Sequence, residues 1–393
     1  MASSPFTRRA FLKQTAGWTC ASALGLSLST AIARAADAPA PAAGSVLDPN
    51  DPIGKLIRFR PGHYLDMPVG EGNSPERFRA MMDCVAHPGI RGTDYRFTWR
   101  SLEKSKDNYD FAAVDRVFAR AEKIGKPTMI FLGDKSFSKD GVDVPDYIAT
   151  DYDGVVRLDM TTNSKPILRG GGGSLPRRWD PRVNERYLKL LRELGRRYDS
   201  NPLFECLLLQ ETHTLHFLVG ADYSTEKHLA AIHDRLRVAR EALPHTQVCQ
   251  YTNANFDANI KGPARFVGEY LREIRGMLGA PDILPFQPTQ AKELHPYYEK
   301  YHGIIPLCAA MQNDSFRHTE PHSTTTAERA KARPVPMTEM VDFALNKMHL
   351  NHIVWNYVGA RGESDFTSDF PHDALAAISG RSSAFDRPWK FTF

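Results

Sequence analysis

The residues best placed to do chemistry are those that terminate apolar runs. The run at 204–209 (FECLLL) passes directly into Gln210-Glu211-Thr212-His213. A carboxyl at the end of such a run is partly withdrawn from water. This raises its pKa and lets it protonate a leaving oxygen near neutral pH. Glu211 is therefore the candidate general acid, unless a fixed cation pairs with it and makes it a rim residue. A second carboxylate must serve as nucleophile or as base for water. Asp314, in Gln312-Asn313-Asp314 after the run at 304–311, is the first candidate. Asp94 and Asp134 are alternatives for the base, and Asn313-Asp314-Ser315 also reads as a turn or helix cap.

Other run ends add His63, Tyr64 and Asp66, then Asp94, Arg96 and Trp99, then Asp134. Tyr251, Asn253 and Asn255 follow a fifth run, Gln287 and Gln290 a sixth, and Trp355, Asn356 and Tyr357 an eighth. The inventory is rich in amides, rings and carboxylates and poor in Lys and Ser. Amides and carboxylates exchange hydrogen bonds with hydroxyl groups, and ring faces stack on the apolar face of a pyranose. A neutral, hydroxyl-rich ligand is expected, contacted by His63, Arg96, Trp99, Asp134, Gln210, His213, Tyr251, Asn253, Gln287, Gln312, Trp355 and Asn356. No G-x-S-x-G, G-x-G-x-x-G, P-loop or H-E-x-x-H occurs, which argues against a serine hydrolase, a nucleotide site and a zinc protease. His213 and His216 are a pair only, so no metal and no cofactor are expected.

These residues need elements to position them. Strands are predicted at 56–60, 92–97, 128–132, 204–209, 247–251, 283–286, 304–311 and 352–357. Amphipathic helices are predicted at 112–124, 181–198, 225–243, 265–278 and 337–349, with a last one at 373–378. In the second of them Tyr187, Leu190, Leu191 and Leu194 make one apolar face, and Asp180-Pro181 supplies an N-cap and first-turn proline. Strands alternating with helices imply parallel pairing. Eight such units predict an α/β fold, a single-domain (β/α)8 TIM barrel whose active site lies at the carboxyl ends of the strands. An open doubly wound sheet is the alternative. The stretch 135–178, with Gly170–Gly173, reads as a flexible loop.

The chain has 393 residues, 42% hydrophobic and 24% charged, which excludes collagen-like and wholly disordered chains. Residues 1–35 hold Arg8, Arg9, Lys13 and Arg34 and no acid; without them the chain is formally neutral, against +4 overall. That argues against a nucleic-acid partner. Thr7-Arg8-Arg9-Ala10-Phe11-Leu12-Lys13, an apolar stretch and Ala33-Arg34-Ala35 resemble a twin-arginine signal peptide at 1–35. The Tat translocon is then the export partner, and the mature protein is expected to be periplasmic or secreted, with no membrane association. Residues 36–54 read as a linker and 55–393 as the barrel. Cys20 falls in the leader; Cys84, Cys206, Cys249 and Cys308 form no C-x-x-C and are expected as buried thiols.

Several stretches resemble the clan-A glycoside hydrolases, in particular β-galactosidase and cellulase-like barrels. They are Trp99-Arg-Ser-Leu-Glu103, Asn108-Tyr109-Asp110-Phe111, Val114-Asp115 and Ala121-Glu-Lys-Ile-Gly125-Lys126, then Trp179-Asp180-Pro181, Arg197-Tyr198-Asp199, Asn201-Pro202 and Gln210-Glu211. Lys104 stands where those barrels usually have Pro, and Gln210 where they have Asn. The resemblance implies that Glu211 is the acid/base and that strand seven should end in a nucleophilic Glu. Gln312 stands there and cannot form a glycosyl ester. That leaves Asp314, a base from another strand, or a barrel that binds carbohydrate without cleaving it. The implied function is an exported hydrolase of O-glycosidic bonds in a poly- or oligosaccharide, the alternative being a non-catalytic carbohydrate-binding barrel. Trp99 and Trp355 would be stacking platforms, with Trp179 a weaker third.

Overall fold

Eight parallel strands pair side by side and close on themselves: β1 (Gly62–Met67), β2 (Ile90–Thr98), β3 (Thr128–Gly133), β4 (Phe204–Leu209), β5 (Gln247–Tyr251), β6 (Met277–Ala280), β7 (Leu307–Met311) and β8 (His352–Trp355). Closure runs from Gly62 beside His352 to Leu65 beside Trp355. The strands alternate with helices α1 (Pro75–Ala86), α2 (Ala112–Ile124), α3 (Pro181–Tyr198), α4 (Thr225–Ala242), α5 (Pro263–Glu273), α6 (His295–Tyr301), α7 (Met337–Asn346) and α8 (Leu375–Ser379). This is the predicted single-domain (β/α)8 barrel. The computed structural model describes residues 47–393 except 73, 139, 160–171, 215–221, 255–262, 363–364 and 387–388. The leader at 1–35, most of the linker, Cys20, His216, Asn255, Gly170 and Gly171 lie outside the described residues.

The barrel interior is filled from all sides by Tyr64, Met129, Phe131, Cys206, Leu208, Cys249, Tyr251, Met277, Cys308, Ala310 and Val354. The four cysteines are buried free thiols, as expected. In α3 the predicted face is fully buried, and the Asp180 carboxylate caps the helix by accepting from the Arg182 amide at 2.8 Å.

Two strands differ from the sequence reading. The run at 56–60 is not the first strand. Ile57 and Phe59 pack with Leu47 and Phe391 in a separate apolar cluster. Arg60 reaches Glu205 at 3.1 Å, and Glu205 meets His352 at the amino-terminal ends of β4 and β8. Leu47 and Ile53, assigned by the sequence to the linker, belong to that cluster. The sixth strand is 277–280, not 283–286. Its Gly279 lies beside Tyr251, and a Cβ there would fall 2.5 Å from the tyrosine ring. Gly279→Val is therefore expected to overpack the barrel and cost about 1–3 kcal/mol, read from the urea midpoint at constant m.

The stretch at 135–178 is more ordered than a loop. A short helix, Asp146–Thr150, precedes an antiparallel hairpin of Val155–Asp159 with Gly172–Pro176. Ser136 joins this hairpin through a two-way backbone bridge to Ser174, at 2.9 and 3.0 Å. Gly173 permits the approach, because a Cβ would sit 2.4 Å from the Ser136 carbonyl oxygen.

Candidate active site

Three parallel strands end in the same way, each with a polar residue two positions past its last paired residue. These are Glu211 after β4, Asn253 after β5 and Asp282 after β6. The Glu211 carboxylate receives Lys135 Nζ at 2.8 Å on one oxygen and the Asn253 amide on the other. Asn253 is itself fixed, because its Oδ1 accepts the His213 backbone amide at 3.0 Å. Lys135 is almost completely buried and also donates to the His213 carbonyl at 3.2 Å. Burial alone would raise the Glu211 carboxyl. The Lys135 charge, the hydrogen bonds from Lys135 and Asn253, and nearby His213 outweigh it, so the net shift is downward. The expectation of an acid with a raised pKa is thus overturned for Glu211 by its cation.

Asp282 shows the opposite balance. Asp282 keeps some solvent access, yet its withdrawal from water, then the charges of Glu211 and Asp314, push it up to about 7 against an opposing pull from Arg96. Gln312, at the end of β7, braces the backbone beside it by donating to the Pro281 carbonyl at 2.6 Å. Asp314 is half-exposed, opens the single helical turn Ser315–Arg317, and pairs with Arg317 at 2.9 Å. Its charge still reaches Asp282.

Beneath this rim Arg96 Nε meets Asp66 at 2.9 Å, and its guanidinium lies 4.9 Å from the Phe131 ring. Asp94, beside Asp66 across β1 and β2, is buried with neither oxygen hydrogen-bonded. Burial and the Asp66 charge raise it well above the usual carboxylate range. Glu211 at the mouth is therefore biased toward its ionised form and Asp282 toward its protonated form, the division that acid and base steps require. Among the described residues no cluster of three or more His, Cys, Asp or Glu could hold a metal ion, and no helix is long and apolar enough to cross a membrane.

No family model and no curated protein matches the chain. Among solved structures, a β-galactosidase from Bacillus circulans sp. alkalophilus aligns with a TM-score of 0.54 and 11% identity. The alignment covers 83% of this chain and 56% of that one, so this chain spans little more than half its length. A GH5_18 protein from Streptomyces cattleya, in complex with GlcNAc, aligns with a TM-score of 0.52 and 13% identity over 84% of this chain and 82% of that one. At these identities the likeness establishes the barrel.

Several residues expected at the mouth are used elsewhere. Trp99 is fully buried and donates to Glu103 at 2.7 Å. Glu103 in turn gathers Arg186 at 2.6 Å and the Tyr147 hydroxyl at 2.8 Å. The Trp-x-x-Leu-Glu stretch thus builds a buried polar knot, with no face left for stacking. Trp355 points away from the lumen because it is out of phase with inward Val354. It packs on Phe316 and Phe370 and donates to His63 Nδ1 at 2.9 Å, so both Trp355 and His63 belong to the layer between strands and helices. Trp179 is buried and donates to Asp222 at 2.8 Å. Asp134 is locked between Arg178 and Arg235, which also withdraws it as a base. Gln210 accepts from the backbone amides of Asp134 and Lys135, both at 2.6 Å, and donates to the Lys135 carbonyl at 2.8 Å. Its amide is spent on joining β3 to β4. Gln287 caps the helical turn Pro288–Glu293, and Tyr251 is sealed in the lumen. Asn356 is partly exposed and donates to Asn313 at 3.4 Å. Of the expected contacts, Arg96, His213, Asn253, Gln312 and Asn356 stay at the mouth.

Lys135 and Asp282 are the residues that sequence reasoning missed. Lys135 follows Asp134 at the end of β3, the neighbour of β4, so its place beside Glu211 was available from the strand order. Asp282 was hidden by the shifted sixth strand, which put it at the wrong end of the barrel.

Proposed function

We propose that the chain is a glycoside hydrolase in which Asp282 is the general acid and Glu211 the ionised carboxylate opposite it. One observation carries this reading: two carboxyls at one barrel mouth are driven in opposite directions, Glu211 down by Lys135 and Asn253, Asp282 up to about 7 by burial and like charge. Pairs separated in this way divide acid from base or nucleophile. Asp282 protonates the leaving oxygen while Glu211 attacks the anomeric carbon or deprotonates the attacking water. Asp314, the second carboxylate suggested by the sequence, is half-exposed on the rim beside Arg317 and contributes through its charge on Asp282. The two barrels of the same fold, one a β-galactosidase and one in complex with GlcNAc, support a carbohydrate substrate. The leader supports export, and with it an extracellular or periplasmic poly- or oligosaccharide.

The test is release of reducing ends from a panel of poly- and oligosaccharides by the wild-type protein, Glu211→Gln and Asp282→Asn. Turnover that is the same in all three removes the reading, and binding without turnover leaves a carbohydrate-binding barrel. Lys135→Met gives a separate check on the assigned charge. Glu211 must be ionised to act, so activity falls as pH drops through its pKa. Removing the cation raises that pKa, and the acid limb of kcat/KM should move up by about 1–3 pH units. An unmoved limb would mean that Lys135 does not set the charge of Glu211.

A further inference from the structure

We propose that Phe137 is the sugar-stacking platform of this site, taking a pyranose one unit away from the bond cleaved at Glu211 and Asp282; this rests on the hydrolase reading. Among the described residues Phe137 is the large hydrophobic side chain left exposed, at 46%. A single exposed apolar residue is ordinary on a protein surface; its position is what makes this one informative. Lys135 Nζ lies over one face of the Phe137 ring, 4.5 Å from its centroid, and 2.8 Å from Glu211 Oε1, so a sugar would take the opposite face. The ring therefore sits within about 7 Å of that carboxylate, roughly the span of one sugar unit.

The backbone that presents the ring is fixed. Ser136, immediately before it, is bridged in both directions to Ser174 of the hairpin, and Gly173 admits that contact. The ring thus stands on a pinned segment, and half-exposure leaves part of its surface available to a ligand. The three tryptophans that sequence reasoning offered for this task are all buried, and Phe137 is the exposed large hydrophobic among the described residues. A ring beside a carboxylate recognises a ligand that is apolar on one face and hydroxylated at its edges. That describes a pyranose with mostly equatorial hydroxyls, whose axial ring hydrogens make a face apolar, as in β-linked glucose, galactose or N-acetylglucosamine units. Because the ring is displaced from the cleaved bond, its contact is with an oligosaccharide.

Binding of cellotetraose, β-galactotetraose and chitotetraose is measured by calorimetry on Asp282→Asn, with and without Phe137→Ala. At least one tetrasaccharide is expected to bind, Phe137→Ala to weaken it roughly ten- to hundredfold, the range of a lost apolar contact in a pocket, and Phe137→Trp to restore it. Equal affinity with and without the ring, or no binding by any of the three, overturns the proposal. A shift of the acid limb of kcat/KM with unchanged affinity also overturns it, since the ring would then act through Lys135. Phe137-dependent binding by a wild-type protein that releases no reducing ends would sink the hydrolase reading and leave the platform standing. Hydrolysis that is indifferent to Phe137 would do the reverse.

Discussion

Asp282→Asn is expected to lower kcat/KM on natural glycosides by roughly 10²–10⁴, the usual contribution of a positioned general acid. The loss should shrink on aryl glycosides, whose leaving oxygen departs with little help from a proton. Glu211→Gln should lose activity on both kinds of substrate, because attack or water activation is needed whatever the leaving group. The pH profile carries the sign of each role. Asp282 works while protonated, and burial with Glu211 and Asp314 places its pKa at about 7, so activity falls as pH rises through that value. Glu211 works while ionised, and Lys135 with Asn253 holds it below its ordinary range, so the acid limb lies low. Asp282→Asn removes the upper limb and leaves the lower one. If the upper limb survives in Asp282→Asn, the acid is another group. If aryl and natural glycosides lose equally, Asp282 does not protonate the leaving oxygen.

What could be read from sequence depended on how each strand distributes its polarity. β4 is apolar but for Glu205, and β5, although it carries Gln247 and Gln250, keeps Val248, Cys249 and Tyr251 in one short run; both limits matched residue for residue, and Glu211 and Asn253 came out at the correct end of the barrel. β1 is disguised, because its inward face carries Tyr64 and Asp66 and its outward face His63. The more hydrophobic segment at 56–60 was the better-looking strand, although it packs outside the barrel. β6 is four residues containing Gly279, whose missing side chain makes room for Tyr251 and weakens the apolar signal. Moving that strand by a few residues turned Asp282 from a strand end into a strand start. The tryptophans failed for a different reason. Position along a strand was legible, but facing was not, and Trp355 is one step out of register with the lumen. The charge of Glu211 was the least legible feature, since its direction depends on a cation donated by the neighbouring strand.

The largest stability effect is expected at Asp134. Its carboxylate is buried and meets Arg178 Nε at 3.0 Å and Arg235 Nη1 at 2.6 Å. Both guanidiniums are themselves buried, and their other bonds are partial compensation: Arg235 to Asn184 at 2.8 Å, and Arg178 to the Glu211 carbonyl at 2.9 Å. Asp134→Ala leaves two cations in the interior without their counter-ion, and breaking a buried pair from one side costs about 3–5 kcal/mol. A surface pair such as Arg79 with Glu76 would change stability by at most about 1 kcal/mol on the same treatment. The comparison separates burial from mere pairing. Linkage gives a second readout. Burial opposes ionisation of Asp134, but the two arginines hold its pKa well below the usual carboxylate range. Its contribution is therefore present above the pKa of an ordinary aspartate and lost as pH falls toward its folded pKa. Wild-type unfolding free energy should drop on acidification below about pH 4, and the part due to Asp134 should be missing in Asp134→Asn. Because Arg178 also holds the Glu211 carbonyl, the same variants should blunt turnover even where they remain folded. An unfolding free energy in urea within about 1 kcal/mol of wild type for Asp134→Ala would show that the arginines find water or other partners, and that the floor beneath Glu211 is not built on this carboxylate.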